Sequence, residues 1–145
     1  WDQFDPQIQR ELGGAMFYTA TDYIKANRVR TILQREMEQV FRRCDVMAVP
    51  GSQNRPRELQ SPDEARARYD EVTPSTTRRG NTSIGNMTGY PALVTPCGMF
   101  SESPTFPITI QLYGRPFDEF TLYRAAYAYE SATDWHKQRA PLAGG

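Results

Sequence analysis

Apolar residues recur at spacings of three and four along the stretch that follows Thr19. They are Tyr23, Ala26, Val29, Leu33, Met37, Val40 and Phe41. This period is typical of a helix with one apolar face. Thr19 and Asp22, three positions apart, fit a capping box at the start of such a helix. The pattern predicts a helix from about Thr21 to Arg43.

Three short apolar runs predict strands. The first is Asp45 to Pro50, stopped by Pro-Gly, and the others are Ala92 to Pro96 and Ile108 to Leu112. Unbroken apolar runs are typical of strands that are covered on both faces, as in α/β proteins. The residues between the last two strands, Cys97 to Pro107, contain Gly and Pro and predict an open connection. A helix followed by a buried strand argues against an all-β or bundle fold, so the predicted class is α/β.

Two further helices are predicted in the second half of the chain. A short one starts within Asn81 to Thr88 and is ended by Gly89 and Pro91. Asp118 can cap a longer one that we expect to run until Pro141 stops it. Its apolar positions follow the i, i+3, i+4, i+7 pattern at Leu122, Ala125, Ala126 and Tyr129. This spacing predicts that one face of the helix packs on the sheet.

The segment 51–80 is polar, holds three prolines and has no sustained apolar period. Within it, Asp63 to Tyr69 could form at most two helical turns. We therefore expect residues 1–145 to form a single unit with 51–80 as a polar excursion. Strands that are apolar on both faces need neighbours, so we expect an incomplete sheet. The sheet then needs missing strands, or a partner that supplies them, such as a second copy in a dimer. The first residue, Trp1, agrees with a chain cut from a longer one.

Composition excludes several classes of function. The formal net charge is zero, with 17 basic and 17 acidic residues interspersed, so a nucleic-acid or anionic-membrane binder is not expected. Two distant cysteines, Cys44 and Cys97, cannot build a disulfide framework, nor a zinc site with the single His136. We expect reduced thiols, no cofactor or metal, and a cytoplasmic location. Nearly all basic residues are arginines, which hints at a bacterial source.

No complete catalytic set is visible in the chain. A serine hydrolase needs a base beside the hydroxyl, but His136 follows Trp135 near the predicted end of the last helix, where it favours the helix dipole or solvent. Lys25 and Lys137 are the only lysines, and a solvated position suits both. Cys97 precedes a glycine at a strand end, which suits a nucleophile, although a small buried hydrophobe is the alternative. We assign no catalytic residue here.

An ordered set of short motifs resembles the C-terminal segment of the amidase signature family. These are an Asp-Tyr helix with a downstream Arg, a strand ending in Pro, an Asn-x-x-Gly-x-Pro turn into Pro-Cys-Gly, and Gln-Leu-x-Gly leading to Phe-Asp-Glu and Asp-Trp-His. In this chain they are Asp22-Tyr23 with Arg30, Asp45 to Pro50, Asn86 to Pro91 into Pro96-Cys97-Gly98, Gln111 to Gly114, Phe117-Asp118-Glu119 and Asp134-Trp135-His136. The set covers about Thr19 to Arg139.

The resemblance implies a mixed β-sheet flanked by helices, completed by a longer N-terminal part. That part carries the serine nucleophile, a bridging serine and a lysine, and the enzyme cleaves a carboxamide C–N bond. By the same analogy, Asn81 to Met87 lies near the acyl side of a small amide substrate. Thr82 and Asn86 could donate hydrogen bonds to it, while Ile84 and Met87 shape its apolar side. The alternative is that Asn86 satisfies local backbone and Met87 fills the core.

The glutaminase component of glutamyl-tRNA amidotransferase, its A subunit, is a related protein of this family, which hydrolyses glutamine and passes on the ammonia. It has an acidic residue for the glutamine amino group where this chain has Arg78-Arg79-Gly80. This departure favours a stand-alone amidase acting on an uncharged or anionic amide. Arg79 could hold a substrate carboxylate; a solvated loop arginine is the alternative.

Three hypotheses of function follow. The leading one is part of an amidase whose serine nucleophile lies outside this chain. The second is a non-catalytic binding or assembly module with amidase-like architecture, and the third is a fragment of the glutaminase component of an amidotransferase. A stable, monodisperse product of this chain alone would favour the binding module.

Overall fold

The computed structural model describes residues 3–51, 61, 81–100 and 106–138. Four α-helices, three strands and a short 3-10 helix lie in these ranges. In chain order they are α1 (Pro6–Ala15), α2 (Ala20–Phe41), β1 (Met47–Pro50), α3 (Ser83–Thr88), β2 (Ala92–Met99), β3 (Pro107–Tyr113), α4 (Glu119–Ala132) and the 3-10 helix Trp135–Lys137. The predicted α/β class is confirmed.

The three strands form one sheet in the order β1-β3-β2. β3 is the central strand and is antiparallel to both neighbours. Tyr113 marks the register, because it is opposite Met47 on one side and Ala92 on the other. Among the described residues β1 and β2 are therefore edge strands, and every pairing is antiparallel.

Helices cover both faces of the sheet. Successive residues of β3 contact different helices, because successive side chains of a strand point to opposite faces. On one face the fully buried Tyr113 packs with Met37 and Phe41 of α2 and with Tyr90, which follows α3. On the other face Leu112 packs with two residues of α4, Leu122 and Ala126. β3 thus separates two small cores. The predicted packing of the last helix on the sheet is confirmed.

The capping box predicted at the start of α2 is present. The backbone N–H of Asp22 donates to Oγ1 of Thr19 at 3.2 Å, and the N–H of Thr19 donates to Oδ2 of Asp22 at 3.0 Å. Hydrogen bonds from the side chain and then the backbone of Thr19 lower the pKa of Asp22. Only Met37 and Phe41 of α2 are buried. The apolar residues nearer its start, such as Tyr23 and Val29, are exposed in the part of the chain that the structure describes.

The connection between the last two strands differs from the prediction. β2 continues to Met99 and β3 begins at Pro107, so the open connection predicted from Cys97 to Pro107 is wrong at both of its ends. Residues 101–105 of it lie outside the described residues. The pairing shifts register between Pro96 and Gly98. Cys97 is the extra residue of this β-bulge, which lets β2 continue past the proline. The N–H of Phe100 also donates to the carbonyl of Phe106 at 2.8 Å.

Three other sequence expectations also need correction. The last helix ends at Ala132, before Pro141, because Thr133 is extended and its hydroxyl donates to the carbonyl of Tyr129 at 3.0 Å. α1 was not predicted at all. The strand β1 was expected to be covered on both faces, but among the described residues it is an edge strand with Ala48 and Pro50 exposed. The two helical turns predicted within the polar excursion lie outside the described residues.

Candidate functional site

The segment Asn81 to Thr88, which the resemblance places beside the substrate, forms α3 and the turn before it. The helix ends at Gly89, whose φ of 79° lies in the left-handed region that glycine favours. The N–H of Gly89 donates to the carbonyl of Gly85 at 2.7 Å. The predicted glycine stop is confirmed. The segment packs on the α2 side of the sheet, through Ile84.

The start of the segment is held by the sheet. The hydroxyl of Tyr113 donates to the carbonyl of Asn81 at 2.5 Å, and Nδ2 of Asn81 donates to the carbonyl of Pro50 at 3.0 Å. Tyr113 is fully buried. Asn81 is therefore bonded both to the central strand β3 and to the end of the edge strand β1.

The end of the segment is held by helix α2. Nε2 of Gln34 donates to the carbonyl of Thr88 at 2.8 Å, and the buried hydroxyl of Thr88 donates to the carbonyl of Ile84 at 2.6 Å. The sheet therefore holds the start of this short segment, and α2 holds its end.

Gly85, in the middle of the segment, lies too close to Tyr113 and Tyr90 to carry a side chain without strain. A Cβ added to Gly85 would lie 3.2 Å from Cε1 of Tyr113 and 3.2 Å from the carbonyl oxygen of Tyr90. Both distances are shorter than ordinary carbon contacts. The glycine of the Asn-x-x-Gly-x-Pro turn thus ends the helix, and this second glycine lets the helix lie against the core.

The structure brings four of the five predicted site residues together on this segment. Thr82, Asn86 and Met87 are exposed, and Met87 is 46% exposed, so it does not fill the core among the described residues. Ile84 is half-buried and packs against the core cluster of Met37. Arg79 lies outside the described residues. The side chain of Thr82 makes no capping hydrogen bond to α3.

A buried amide lies beneath the segment. Gln111 is 4% exposed, and its Nε2 donates to the hydroxyl of Tyr113 at 2.7 Å. Its Oε1 is buried and has no hydrogen-bond partner among the described residues. In the sequence, Gln111 stands out only as part of a motif. A glutamine inside an otherwise apolar strand is the signal that could have marked it, since buried polar groups need partners.

The histidine and the two lysines are exposed in the part of the chain that the structure describes. Nζ of Lys137 pairs with Oδ1 of Asp134 at 2.6 Å, and this hydrogen bond lowers the pKa of Asp134. His136 and Lys25 are exposed. Cys97 is half-buried and free, as is Cys44. The described residues contain no cluster of three His, Cys, Asp or Glu side chains that could hold a metal ion.

One phenol in this region has a shifted pKa. Burial, and secondarily the charge of Glu38, raise the pKa of Tyr90. The ring of Tyr90 stacks on Phe41, with centroids 5.4 Å apart. The neutral phenol is the form that this environment stabilises.

Among the described helices, none is long and apolar enough to cross a membrane.

Known structures identify the fold. A variant of Kluyveromyces lactis allophanate hydrolase superposes with a TM-score of 0.71 at 22% identity, over 98% of this chain and 24% of that one. The chain therefore shares the fold of about a quarter of that protein. The Amidase family model matches residues 3–123. The chain belongs to the amidase family.

Curated relatives include two kinds of protein. The A subunit of glutamyl-tRNA(Gln) amidotransferase from Chloroflexus aurantiacus is 40% identical over 96% of this chain, and an amidase of Pseudomonas putida is 37% identical over 97% of it. The matches cover 28% and 29% of those proteins, respectively. The chain thus spans less than a third of the length of the curated relatives it matches. The family resemblance drawn from the motifs is confirmed.

Proposed function

We propose that this chain is the C-terminal segment of a bacterial amidase, called here the parent, whose nucleophilic serine lies outside these residues. The serine hydroxyl attacks the amide carbonyl, the C–N bond breaks, and ammonia or an amine leaves with a proton. Water then attacks the resulting ester, releases the carboxylic acid and restores the serine. The chain contributes a wall of the substrate pocket to this reaction.

One observation carries the proposal. The family model matches most of the chain, while the relatives extend over more than three times its length. A chain of this family that spans so small a share of its relatives leaves room for the reacting groups elsewhere. The exposed bases Lys25 and His136 agree with a site completed by other residues.

The pocket wall proposed here is the segment Asn81 to Met87. It combines exposed polar groups, Thr82 and Asn86, with the exposed thioether of Met87. These can bond an amide and contact the carbon chain attached to it. Ile84 supports the segment from the core side. We assign Arg79 the task of holding a substrate carboxylate, on charge alone.

The missing part of the parent also explains the uncovered surface of this chain. Val94 of the edge strand β2 is 54% exposed on the face that carries Gln111. The start of α2 presents Tyr23 and Val29 to solvent among the described residues. Apolar strands and helix faces are stabilised when another layer covers them. We propose that the N-terminal part of the parent supplies that layer, together with the sheet neighbours of β2.

The test uses the purified parent, incubated with an uncharged aromatic amide and assayed for released ammonia. A sulfonyl fluoride that modifies activated serines should abolish the activity, and mass spectrometry should locate the adduct on a peptide outside residues 1–145. An adduct on a serine within these residues, or ammonia release that survives full modification, would overturn the proposal.

The second candidate function is that of the glutaminase component of an amidotransferase. The 40% identity to the Chloroflexus aurantiacus protein favours it, whereas Arg78 and Arg79 disfavour binding of the glutamine amino group. An assay that offers glutamine together with the aromatic amide separates the amidase from the glutaminase component. An amidase prefers the aromatic amide, while a glutaminase component releases ammonia from glutamine and depends on the other components of its complex.

A further inference from the structure

The hydrogen bonds beneath the pocket wall run in one direction only. A carbonyl oxygen can only accept, so the carbonyl of Asn81 takes the single proton of the Tyr113 hydroxyl, 2.5 Å away. The hydroxyl oxygen must then accept from Gln111, and only the NH₂ group of that amide can donate. The orientation of the Gln111 amide is thereby fixed by its bonding partner.

This chain of hydrogen bonds from Gln111 through Tyr113 to Asn81, called the relay here, is buried at its first two members. Tyr113 is fully buried and Gln111 is 4% exposed, so water competes poorly for these bonds. Hydrogen bonds in a low-dielectric interior polarise one another, which strengthens a chain of them. The relay ends on the residue directly before Thr82. Hydrogen bonds that run in one direction and are shielded from water can hold the backbone at Asn81 in one position.

We propose that Tyr113 is a positioning residue for substrate binding, with Gln111 behind it. Tyr113 touches no substrate: its hydroxyl fixes the carbonyl of Asn81 and so sets where Thr82 and Asn86 present their polar groups. Oε1 of Gln111, buried and without a partner among the described residues, is the open end of the relay. It accepts an N–H or O–H donor from the remainder of the parent. This inference rests on the proposed function of the segment as a pocket wall.

Tyr113→Phe in the parent is the first test, because it removes one oxygen and keeps the ring. The wall contacts substrate and transition state alike, so its loosening should raise KM and leave kcat unchanged. The loss of one positioning hydrogen bond should raise KM roughly three- to tenfold. Amide hydrogen exchange of residues 83–88 in the parent should accelerate in step.

Tyr90→Phe is the matched control. Tyr90 belongs to the same core cluster, but its hydroxyl reaches only the carbonyl of Gln34, at 3.5 Å. The control should leave KM and the exchange of residues 83–88 unchanged. If both variants behave alike, a general effect of removing a core hydroxyl replaces the positioning role, and the inference is wrong.

Gln111→Leu provides a second variant should Tyr113→Phe fail to fold. The Tyr113 bond to Asn81 survives in it without its supporting donor, so KM should rise above the wild-type value while kcat stays unchanged. A wild-type KM in Gln111→Leu would overturn the inference. A fall in kcat at constant KM would contradict a positioning role. The two proposals fail differently, because a wild-type parent without any amide hydrolysis overturns the proposed function and this inference together. An active parent with an unchanged Tyr113→Phe variant overturns the inference alone.

Discussion

Arg115 is the residue that joins the end of α2 to the turn after β3. Its Nη2 and Nε donate to the carbonyl of Phe41 at 2.8 and 3.3 Å, and Nη2 also reaches the carbonyl of Cys44 at 3.4 Å. The last carbonyls of a helix lack partners within the helix, and a cation is favourable at that end. Nη2 also lies 2.9 Å from Oδ1 of Asp45.

Replacement of Arg115 by Ala should lower the free energy of unfolding of the parent by about 1–2 kcal/mol, because charged hydrogen bonds to the partly buried carbonyl of Phe41 are lost. Arg115→Lys should recover only part of this, since an ammonium group lacks the planar fork that reaches several acceptors. Denaturant unfolding, followed by circular dichroism, gives both values.

The control for Arg115 is Asp45→Asn. The carboxylate of Asp45 is 75% exposed in the ion pair, and exposed pairs contribute about 0–1 kcal/mol. We expect this variant to unfold nearly as the wild type does. An equal loss in Asp45→Asn and Arg115→Ala would assign the stabilisation to the ion pair rather than to the carbonyl contacts.

Among the elements, those with a chemical start or stop signal were predictable from sequence. The capping box of Thr19 fixed the start of α2, Asp118 fixed the start of α4, and Gly89 fixed the end of α3. The end of α4 was not predictable, because Thr133 leaves the helix with an extended backbone that its residue type does not dictate. α1 was missed because its large apolar residues are only two, Ile8 and Leu12, too few to make an apolar period; they are 40% and 44% exposed.

Thr19→Ala should destabilise the parent by about 1 kcal/mol at neutral pH through loss of the N-cap. Because the folded state lowers the pKa of Asp22, the contribution of this carboxylate is present above its ordinary pKa. It is lost as the pH falls through the folded-state value. The difference between variant and wild type should therefore narrow in acid. Urea unfolding at neutral and acid pH measures it.

Thr31→Ala is the matched control for the capping residue. It is the same change within the same helix, where the exposed hydroxyl of Thr31 donates only to the carbonyl of Asn27 at 3.0 Å. Alanine is the better helix former at an interior position, so no destabilisation is expected at either pH. A loss equal to that of Thr19→Ala would show that the cap has no special role.

At the scale of the whole molecule, the described surface carries more apolar side chains than a self-sufficient unit needs. Exposed large hydrophobic residues occur on several elements, including Met16 and Phe17 after α1, Ile24 and Ile32 on α2, and Phe120, Tyr123 and Tyr127 on α4. Large apolar side chains exposed on so many elements favour a further unit that covers them. We propose that the N-terminal part of the parent is that unit.

Residues 1–145 produced alone should bind a hydrophobic dye, self-associate and release no ammonia from amides, whereas the parent should remain dispersed and bind little dye. Light scattering and dye fluorescence at matched concentrations make the comparison. A monodisperse, dye-free product of this chain would contradict the incomplete-unit hypothesis. It would favour the independent binding module.

The order of the motifs predicts that Thr82 to Met87 lies beside the substrate, and that role stays a prediction. The support of this segment could not be predicted, because the bond from Tyr113 to Asn81 joins residues that are 32 positions apart and meet only when β3 and the segment pack together. Long-range hydrogen bonds leave no local period or spacing to detect.

The strand order β1-β3-β2 affects how the chain folds while it is being synthesised. Met47 finds its partner only when Tyr113 has been synthesised, so β1 leaves the ribosome well before β3. At about 5–20 residues per second, that wait lasts roughly several seconds. β2 and β3 can pair locally as soon as both emerge, but β1 lacks its β3 partner until they do. An edge left open in this way invites aggregation during that interval, when a chaperone can protect it.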